Sequence, residues 1–199
     1  QGEYTGMTRE EVKNWYEVND YVYFDLETTG FSYKGGDKIV EIAAYRVQNG
    51  EVVDKFSTLV NPEKPIPPHL TENVHGISDS MVQWKEPIEK VLPEFYNFFG
   101  SLPLMCHNSS FDISRFLRPM MKDMYNYELD NIVLCTMRAS KHLVKGVSYK
   151  LIDMYKYCTG KEPANEHRAE ADIVMGVAVA NYIQQFIRSN YASVYRKAK

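Results

Sequence analysis

The chain has 199 residues, 44% hydrophobic and 25% charged, which suits one globular domain with a sizeable core. No apolar run approaches the length of a membrane span and no signal peptide precedes the first predicted strand, so we expect a cytoplasmic protein with no membrane partner. Its three cysteines are odd in number and widely spaced, which argues against a disulfide framework or a zinc site and favours reduced core residues.

The net charge of −3 argues mildly against a nucleic-acid partner, but the charges are unevenly distributed. Residues 138–161, which we name the basic segment, contain a single acid, Asp153, and six basic residues: Arg138, Lys141, Lys145, Lys150, Lys156 and Lys161. A basic flank beside a carboxylate-rich pocket would suit an enzyme that acts on phosphates. Two solvated helix faces would give the same pattern, and charge alone does not choose between these interpretations.

Residues 1–20 are a polar N-terminal extension in which Thr8–Trp15 predicts a short helix. The stretch 21–30, Tyr-Val-Tyr-Phe-Asp-Leu-Glu-Thr-Thr-Gly, predicts a buried strand that ends with two carboxylates and a turn. Because side chains alternate along a strand, Asp25 and Glu27 should point the same way. Two desolvated carboxylates repel each other, and a divalent cation with oxygen ligands would compensate them. The alternative, a solvated strand end, is disfavoured by the apolar residues that precede the pair.

Two strands are predicted at 38–48 and 51–60, joined by the hairpin dipeptide Asn49-Gly50. The proline-rich stretch 61–70 predicts irregular structure, and 71–77 a short turn or helix. Helical spacing of apolar residues predicts a helix over 87–99, which Pro93 should kink or delay. The other predicted elements are strands at 102–107 and 132–134 and helices at 110–124, 136–143, 148–158 and from 169 to beyond 187. This order indicates an α/β domain over 21–190 with a mixed sheet, followed by a tail at 191–199.

Two later segments place polar residues beside predicted core. A strand is predicted to end at His107-Asn108, and Asp112 then falls in the first turn of a helix. Capping by a serine, with Asp112 favoured by the helix dipole, would explain that segment structurally. His167 and Asp172 can converge only if His167 lies in the loop before the last helix and Asp172 on its inward face. Taken alone, His167 would be interpreted as a surface histidine.

Together these segments resemble the signature of the DEDD exonucleases, in the subgroup whose last motif is a histidine followed after four residues by an aspartate. The residues that carry the resemblance are Asp25-Leu-Glu27, Asp112 within His-Asn-Ser-Ser-Phe-Asp, and His167 with Asp172. It extends to the stretches 39–44 and 74–77. The chain looks most like the proofreading exonucleases of bacterial replicative DNA polymerases, either the epsilon subunit or the PolC exonuclease domain. It departs at Cys135-Thr136, where many relatives have Asp-Thr, and this bears on the subfamily rather than on catalysis.

The resemblance implies a ribonuclease H-like fold and a 3′–5′ exonuclease that releases nucleoside 5′-monophosphates. It implies two divalent ions, Mg²⁺ or Mn²⁺, with Asp25 bridging both, Glu27 and Asp172 holding the ion that carries the nucleophilic water, and Asp112 orienting the other. His167 would accept the proton of that water. The implied substrate contacts are Thr28, Thr29, His75, Asn108 and Phe111. For Asn108 and Phe111, a turn residue and a core aromatic are the structural alternatives.

The expected substrate is a single-stranded or frayed 3′ end of DNA, and a DNA polymerase is an implied partner. Three alternatives stay open at the level of sequence. The first is an exoribonuclease of the RNase T or oligoribonuclease kind, and the second is a nucleic-acid-binding module without turnover. The third is a phosphodiesterase acting on a small molecule. Retention of all five polar site residues disfavours the second, because an inactive copy has no physical reason to keep mutually repelling groups together.

Overall fold

The computed structural model describes residues 6–163 and 168–199. Its sheet has five strands in the order β3-β2-β1-β4-β5, with β1 at Asp20–Thr28, β2 at Ile39–Gln48, β3 at Glu51–Leu59, β4 at Leu104–Cys106 and β5 at Val133–Cys135. The pairs β1–β2 and β2–β3 are antiparallel, whereas β1–β4 and β4–β5 are parallel. The predicted mixed sheet of an α/β domain is therefore confirmed.

Helices cover both faces of this sheet. Their bounds are α1 Arg9–Glu17, α2 Pro68–Asn73, α3 Asp79–Val82, α4 Ile88–Phe99, α5 Arg118–Tyr125, α6 Thr136–Leu143, α7 Leu151–Thr159, α8 Ala169–Ser189 and α9 Tyr191–Lys197. A π-helix at Ser110–Leu117 runs directly into α5. Within the described parts of the chain, no helix has the length and apolar character needed to cross a membrane.

The central strand β1 separates two cores by the alternation of its side chains. Tyr21 and Tyr23 join the core formed with α1, α6 and α8. The alternate residues Val22, Phe24 and Leu26 point the other way and belong to the opposite core, which is formed with α4, the π-helix and α5. Asp25 and Glu27 continue the face of Tyr21 and Tyr23, because successive strand residues point to opposite sides. Both carboxylates therefore lie on the side covered by α8.

Helix α8 approaches β1 closely at one glycine. A Cβ atom at Gly176 would overlap the ring of Tyr23, which is fully buried and fixed by a 2.8 Å hydrogen bond between its hydroxyl and that of Thr136. Gly176 follows Asp172 by four residues, so the two lie on the same side of the helix. The close contact at Gly176 therefore brings Asp172 toward the carboxylates of β1.

The N-terminal segment packs behind α8. Thr8 caps α1 in a capping box with Glu11, and Trp15 of α1 is buried in the core shared with α8. The amide of Gln184 on α8 donates to the backbone carbonyl of Trp15 at 2.9 Å. The backbone N–H of Lys199 donates to the carbonyl of Met7, so the segments at the two ends of the described chain lie side by side.

Several predicted boundaries are confirmed and others are corrected. The hairpin at Asn49-Gly50 is present, with both residues at positive φ, as a tight two-residue turn requires. Helix α4 contains Pro93 yet begins at Ile88, so the delayed start is wrong. Helix α2 begins at Pro68, inside the stretch predicted to be irregular, because proline suits the first helical position. Cys106 and Cys135 are buried, as predicted for core residues, whereas Cys158 is only partly buried.

The helix predicted at 110–124 is present, and its first part differs from an ordinary α-helix. Its first eight residues form a π-helix, whose i→i+5 hydrogen bonds make a wider turn than the α-helix. Capping by a serine side chain is not observed at Ser109. Its backbone N–H instead donates to the sulfur of Cys135 at 3.4 Å, so the start of this helix is held by the end of β5.

Candidate active site

Three carboxylates meet where the C-terminal end of β1 faces the first turn of α8. Asp25 and Glu27 come from β1 and Asp172 from α8, and each offers an oxygen within 4.8 Å of the others. The alternation of β1 and the close approach at Gly176 account for this convergence. Three oxygen ligands at such spacing form a donor set of the kind that Mg²⁺ and Mn²⁺ take.

The fourth predicted carboxylate comes from the π-helix. Asp112 is 2% exposed, and among the described residues its Oδ1 has no hydrogen-bond partner. The Oδ2 atom of Asp25 is unpartnered in the same way. Buried oxygen atoms without donors are costly unless something else satisfies them. A cation bound between these carboxylates would do so, and the residues present therefore fit the divalent ions that the sequence implied.

Burial and mutual repulsion raise the pKa values of these acids. Desolvation raises the pKa of Asp25 well above its ordinary value, and Glu27, Asp112 and Asp172 raise it further. Desolvation followed by repulsion from Asp172 raises the pKa of Glu27 to about 8. The pKa of Asp112 is also raised well above normal, mainly by burial and by Glu27, although a backbone hydrogen bond from Leu26 lowers it in part. Without a cation, the folded site therefore retains protons at neutral pH.

A cleft of about 480 Å³ opens beside the carboxylates. Among the residues that line it are five of the predicted site residues: Glu27, Thr28, His75, Asn108 and Phe111. The exposed ring of Phe31 and the side chain of Arg115 form part of the same lining. The cleft is thus lined by a carboxylate, a histidine, two aromatic rings and the guanidinium group of Arg115, which is a suitable set of groups for holding a nucleotide.

His75 lines this cleft and is itself almost fully buried. Its Nδ1 accepts a hydrogen bond from the backbone N–H of Ile77 at 3.0 Å, so in the neutral ring Nε2 carries the proton. Burial lowers the pKa of His75, which favours that neutral form. A backbone hydrogen-bonding interaction with Thr28 raises this pKa in part, although the geometry gives Nε2 no well-formed hydrogen bond among the described residues. His75 is therefore a buried donor beside the cleft whose hydrogen-bonding capacity is incompletely used.

Four further predicted contacts also have structural roles. The hydroxyl of Thr28 donates to the carbonyl of Gly30 at 2.6 Å, whereas that of Thr29 donates to Asp37 and is not part of the cleft lining. Asn108 has a φ of 82° at the turn before the π-helix, a conformation that asparagine tolerates. The ring of Phe111 lies edge-on to Phe31, with ring centres 6.4 Å apart. The turn and aromatic interpretations of Asn108 and Phe111 thus coexist with their position in the cleft.

His167 lies outside the described residues. The backbone becomes described again at Arg168, and α8 begins at Ala169. Asp172 therefore occupies the first turn of α8. This agrees with the condition set from the sequence, that Asp172 should lie on the last helix. The proposed role of His167 stays a prediction from the sequence.

The basic segment is partly neutralised by other parts of the chain. Arg138 forms an ion pair with Glu11 of α1, with 2.7 Å between Nε and Oε2, and Lys156 pairs with Glu162 at 3.3 Å. Arg138 also donates to the carbonyl of Gly6. At least two of its six cations thus have intramolecular roles, which weakens the expectation that the whole segment faces a nucleic acid.

Two residues beside the site were missed at the level of sequence. Glu41 of β2 is 2% exposed and lies opposite Glu27 in the β1–β2 register. The guanidinium of Arg168 donates to both of its carboxylate oxygens. The available signal was a charged residue inside the apolar run Ile-Val-Glu-Ile-Ala-Ala over 39–44.

The mixed sheet, with carboxylates from β1, the π-helix and α8 close to one another, defines the class of nucleases with a ribonuclease H-like fold. A family model described as "Exonuclease", RNase_T, matches residues 22–180. The chain belongs to this family of exonucleases, enzymes that hydrolyse phosphodiester bonds.

Individual relatives agree with this assignment. The chain is 38% identical over 154 residues to the PolC-type DNA polymerase III of Clostridium perfringens, which covers 77% of this chain and 10% of the relative. It is 38% identical over 139 residues to a DNA polymerase III subunit epsilon-like protein of Rhodobacter capsulatus, covering 66% of this chain and 20% of that protein. A solved structure of exonuclease X in complex with 5′ overhanging duplex DNA superimposes with a TM-score of 0.67 at 30% identity, covering 88% of this chain and 99% of the other. The chain spans only about a tenth of the PolC-type relative's length.

Proposed function

We propose that this chain is a metal-dependent 3′–5′ exonuclease that removes nucleotides from the 3′ end of DNA and releases nucleoside 5′-monophosphates. The observation that carries the proposal is the meeting of Asp25, Glu27 and Asp172 within 4.8 Å beside a cleft of nucleotide size. The similarity to PolC-type polymerases and to exonuclease X, which was solved with DNA, supports DNA as the substrate.

In this proposal the four carboxylates hold two divalent ions, Mg²⁺ or Mn²⁺. Such ions, when bound, activate a water molecule and stabilise charge on the attacking and leaving oxygens of a phosphodiester. Asp25 and Glu27 are fixed by β1, Asp172 by α8 and Asp112 by the π-helix, so four ligands come from three rigid elements. Binding a cation requires these acids to give up the protons that they hold in the metal-free site.

The remaining site residues bind and orient the substrate. His75 lines the cleft, and its buried Nε2–H would donate to an acceptor of the terminal nucleotide if the nucleotide reaches that wall. Phe31 and Phe111 offer aromatic faces and edges for a base. His167, as a neutral imidazole, would accept the proton of the attacking water. Thr28, Thr29 and Asn108 stabilise turns beside the cleft, and through these turns they would help to position the 3′ end of the nucleic acid.

A role in replication proofreading follows from the PolC-type and epsilon-like relatives, and a DNA polymerase is the proposed partner. A proofreading nuclease should prefer a frayed or mismatched 3′ end to a paired one. An RNA substrate would place the chain with exoribonucleases, and binding without turnover would make it a nucleic-acid-binding module.

The test compares single-stranded DNA, RNA, matched duplex and mismatched duplex, each labelled at one end, with Mg²⁺, with Mn²⁺ and with chelator. We expect stepwise shortening from the 3′ end, 5′-monophosphates as products, no cleavage in chelator and faster cleavage of mismatched than matched duplex. Faster cleavage of RNA than of DNA would overturn the assignment of DNA as the substrate and favour RNA. Tight binding without products in either metal would overturn the enzymatic proposal.

A further inference from the structure

An ion pair between the buried Glu41 and the partly exposed Arg168 joins β2 to the start of α8, next to the carboxylates. Glu41 is surrounded along β2 by the buried apolar residues Ile39, Val40, Ile42 and Ala43, and it is itself 2% exposed. The Nε atom of Arg168 lies 3.2 Å and 3.1 Å from its two carboxylate oxygens, and the second nitrogen Nη2 also donates to one of them. This is a charged carboxylate in a position that an apolar side chain would ordinarily fill.

The same carboxylate caps α8 from outside the helix. Arg168 stands at the N-cap position but provides no side-chain capping bond of its own. The backbone N–H of Ala169 instead donates to Oε1 of Glu41 at 3.2 Å. A carboxylate at a helix N-terminus satisfies a free N–H group and is favoured by the helix dipole. Glu41 therefore fixes where the first turn of α8 begins.

That first turn carries Asp172. The backbone N–H of Asp172 donates to the carbonyl of Arg168 at 3.3 Å, so Asp172 lies one turn from the residue that Glu41 holds. On the other side, Glu41 is the register partner of Glu27. Glu41 thus connects the backbone beside one carboxylate ligand to the helix that supplies another.

Stability alone does not explain this pair. Only Glu41 is fully buried, and the desolvation of its carboxylate offsets much of the attraction to Arg168, so such a pair is weak evidence for stability. Arg168 also lies near Glu27, whose pKa it lowers while Glu41 raises it, so the pair adds little net charge to the site. An apolar pair would give comparable packing but no directional bond to the helix start.

We infer that Glu41 and Arg168 are positioning residues that set the distance between Asp172 and the β1 carboxylates. The inference rests on the proposed function and deepens it. Arg168, whose side chain is 41% exposed, could instead contact a substrate phosphate directly, and the experiment separates this role from positioning. Neither residue is assigned a reacting atom.

The test uses Glu41→Gln, Arg168→Gln and the double variant, with Arg46→Gln as the matched control. Arg46 joins β2 to β1 through Asp20 at the far end of the same strand pair, with 2.8 Å between Nη2 and Oδ2. Three quantities are measured: the affinity of the substrate-free protein for Mn²⁺ by calorimetry, and kcat and KM on a single-stranded oligonucleotide. Arg168→Gln removes only a partly exposed side chain, so it remains informative if Glu41→Gln fails to fold.

We expect each single variant to lose about 10- to 100-fold in Mn²⁺ affinity or in kcat, with KM nearly unchanged, as changes to groups that orient metal ligands do. The double variant should lose little more than either single variant, because the two residues act as one unit. A rise in KM alone for Arg168→Gln would indicate phosphate binding and overturn the inference, as would unchanged affinity and kcat. The calorimetric result does not depend on turnover, so failure of the proposed function would be seen separately as a wild-type protein that binds Mn²⁺ but cleaves nothing.

Discussion

Nδ1 of His107 lies 2.7 Å from the hydroxyl of Thr136, and the other ring nitrogen, Nε2, lies 2.7 Å from the carbonyl of Tyr149. A carbonyl can only accept, so Nε2 carries a proton and the neutral ring accepts from Thr136 through Nδ1. Burial lowers the pKa of His107 and favours this neutral state. The oxygen of Thr136 can then accept from the hydroxyl of Tyr23, which lies two residues before Asp25 on β1.

The first prediction follows from this network. His107→Ala should lower the free energy of unfolding by about 1–3 kcal/mol, because it removes two hydrogen bonds of the ring and leaves the Tyr149 carbonyl without the ring N–H that it accepts from. Urea denaturation measures the change. His69 is exposed, and His69→Ala should change stability by no more than about 0.5 kcal/mol. Equal effects of the two substitutions would show that the network contributes nothing to stability.

The second prediction concerns the ligands. Asp25→Asn and Asp172→Asn should abolish turnover, because each removes a negatively charged oxygen ligand, while the metal-free proteins should fold and be at least as stable as wild type. Relief of repulsion at a desolvated cluster is the reason. Activity assays with Mg²⁺ and thermal unfolding in chelator provide the measurements. Asp54→Asn, on the exposed strand β3, is the control with the same chemistry. Near-wild-type hydrolysis by either site variant would contradict the assignment.

The third prediction is a pH dependence of stability without metal. The pKa of Glu27 is raised from 4.5 to about 8 in the folded protein, so between these values the folded state binds more protons than the unfolded chain. The free energy of unfolding must then fall as pH rises across that interval. Denaturation in chelator at pH 5, 6.5 and 8 should show the decline, and saturating Mg²⁺ should oppose it because metal binding displaces protons. Glu27→Gln should flatten the decline, and an unchanged slope in that variant would rule out Glu27 as its source.

The fourth prediction tests the basic segment. Reversal of Lys141, Lys145 and Lys150 to glutamate should weaken binding of single-stranded DNA and reduce the slope of log affinity against log salt by about 2, if each contacts one phosphate. Arg138 and Lys156 are left unchanged because they pair with Glu11 and Glu162. The control variant reverses the exposed residues Lys13, Lys85 and Lys90, which carry the same total charge change. Equal slopes for the two variants would assign the segment to solvated surface.

The fifth prediction separates His167 from the carboxylates. His167→Ala should keep metal affinity and lose about a hundred- to ten-thousand-fold in rate, as removal of a general base does. The wild-type rate should rise with pH near the ordinary histidine pKa of about 6.5, and the variant should lose this acidic limb. Single-turnover rates from pH 5 to 8 at saturating Mg²⁺ measure both effects. A variant that retains the limb would exclude the histidine as its origin.

The periodic parts of the fold could be predicted from the sequence. Alternation along β1 placed Asp25 and Glu27 on one face, and the hairpin dipeptide Asn49-Gly50 located the β2–β3 turn. Helix α6 begins and ends at the predicted residues, Thr136 and Leu143. The residues on either side of it, Cys135 and Val144, both have extended backbone, which limits the helix. These features depend on local periodicity and turn chemistry, which neighbouring residues determine.

The features that were missed depend on contacts between distant segments. The π-helix at Ser110–Leu117 has an ordinary helical pattern of apolar residues, so the sequence does not distinguish it from an α-helix. The role of Glu41 required knowing that Arg168, 127 residues later in the chain, would meet it. Helix α1 was predicted within a polar extension, yet Val12 and Trp15 are buried against the remainder of the core.

The close contact between Gly176 and Tyr23 has a consequence for ion size. A methyl group at position 176 would push α8 away from β1 and carry the carboxylate of Asp172 away from Asp25. Mg²⁺ requires oxygen ligands at about 2.0–2.1 Å in a strict octahedron, whereas Ca²⁺ accepts about 2.3–2.6 Å in looser arrangements. A slightly wider site would therefore favour the larger ion, which binds without supporting the same chemistry. In the proposed metal site, the missing side chain at Gly176, one helical turn from Asp172, would therefore favour the smaller ion.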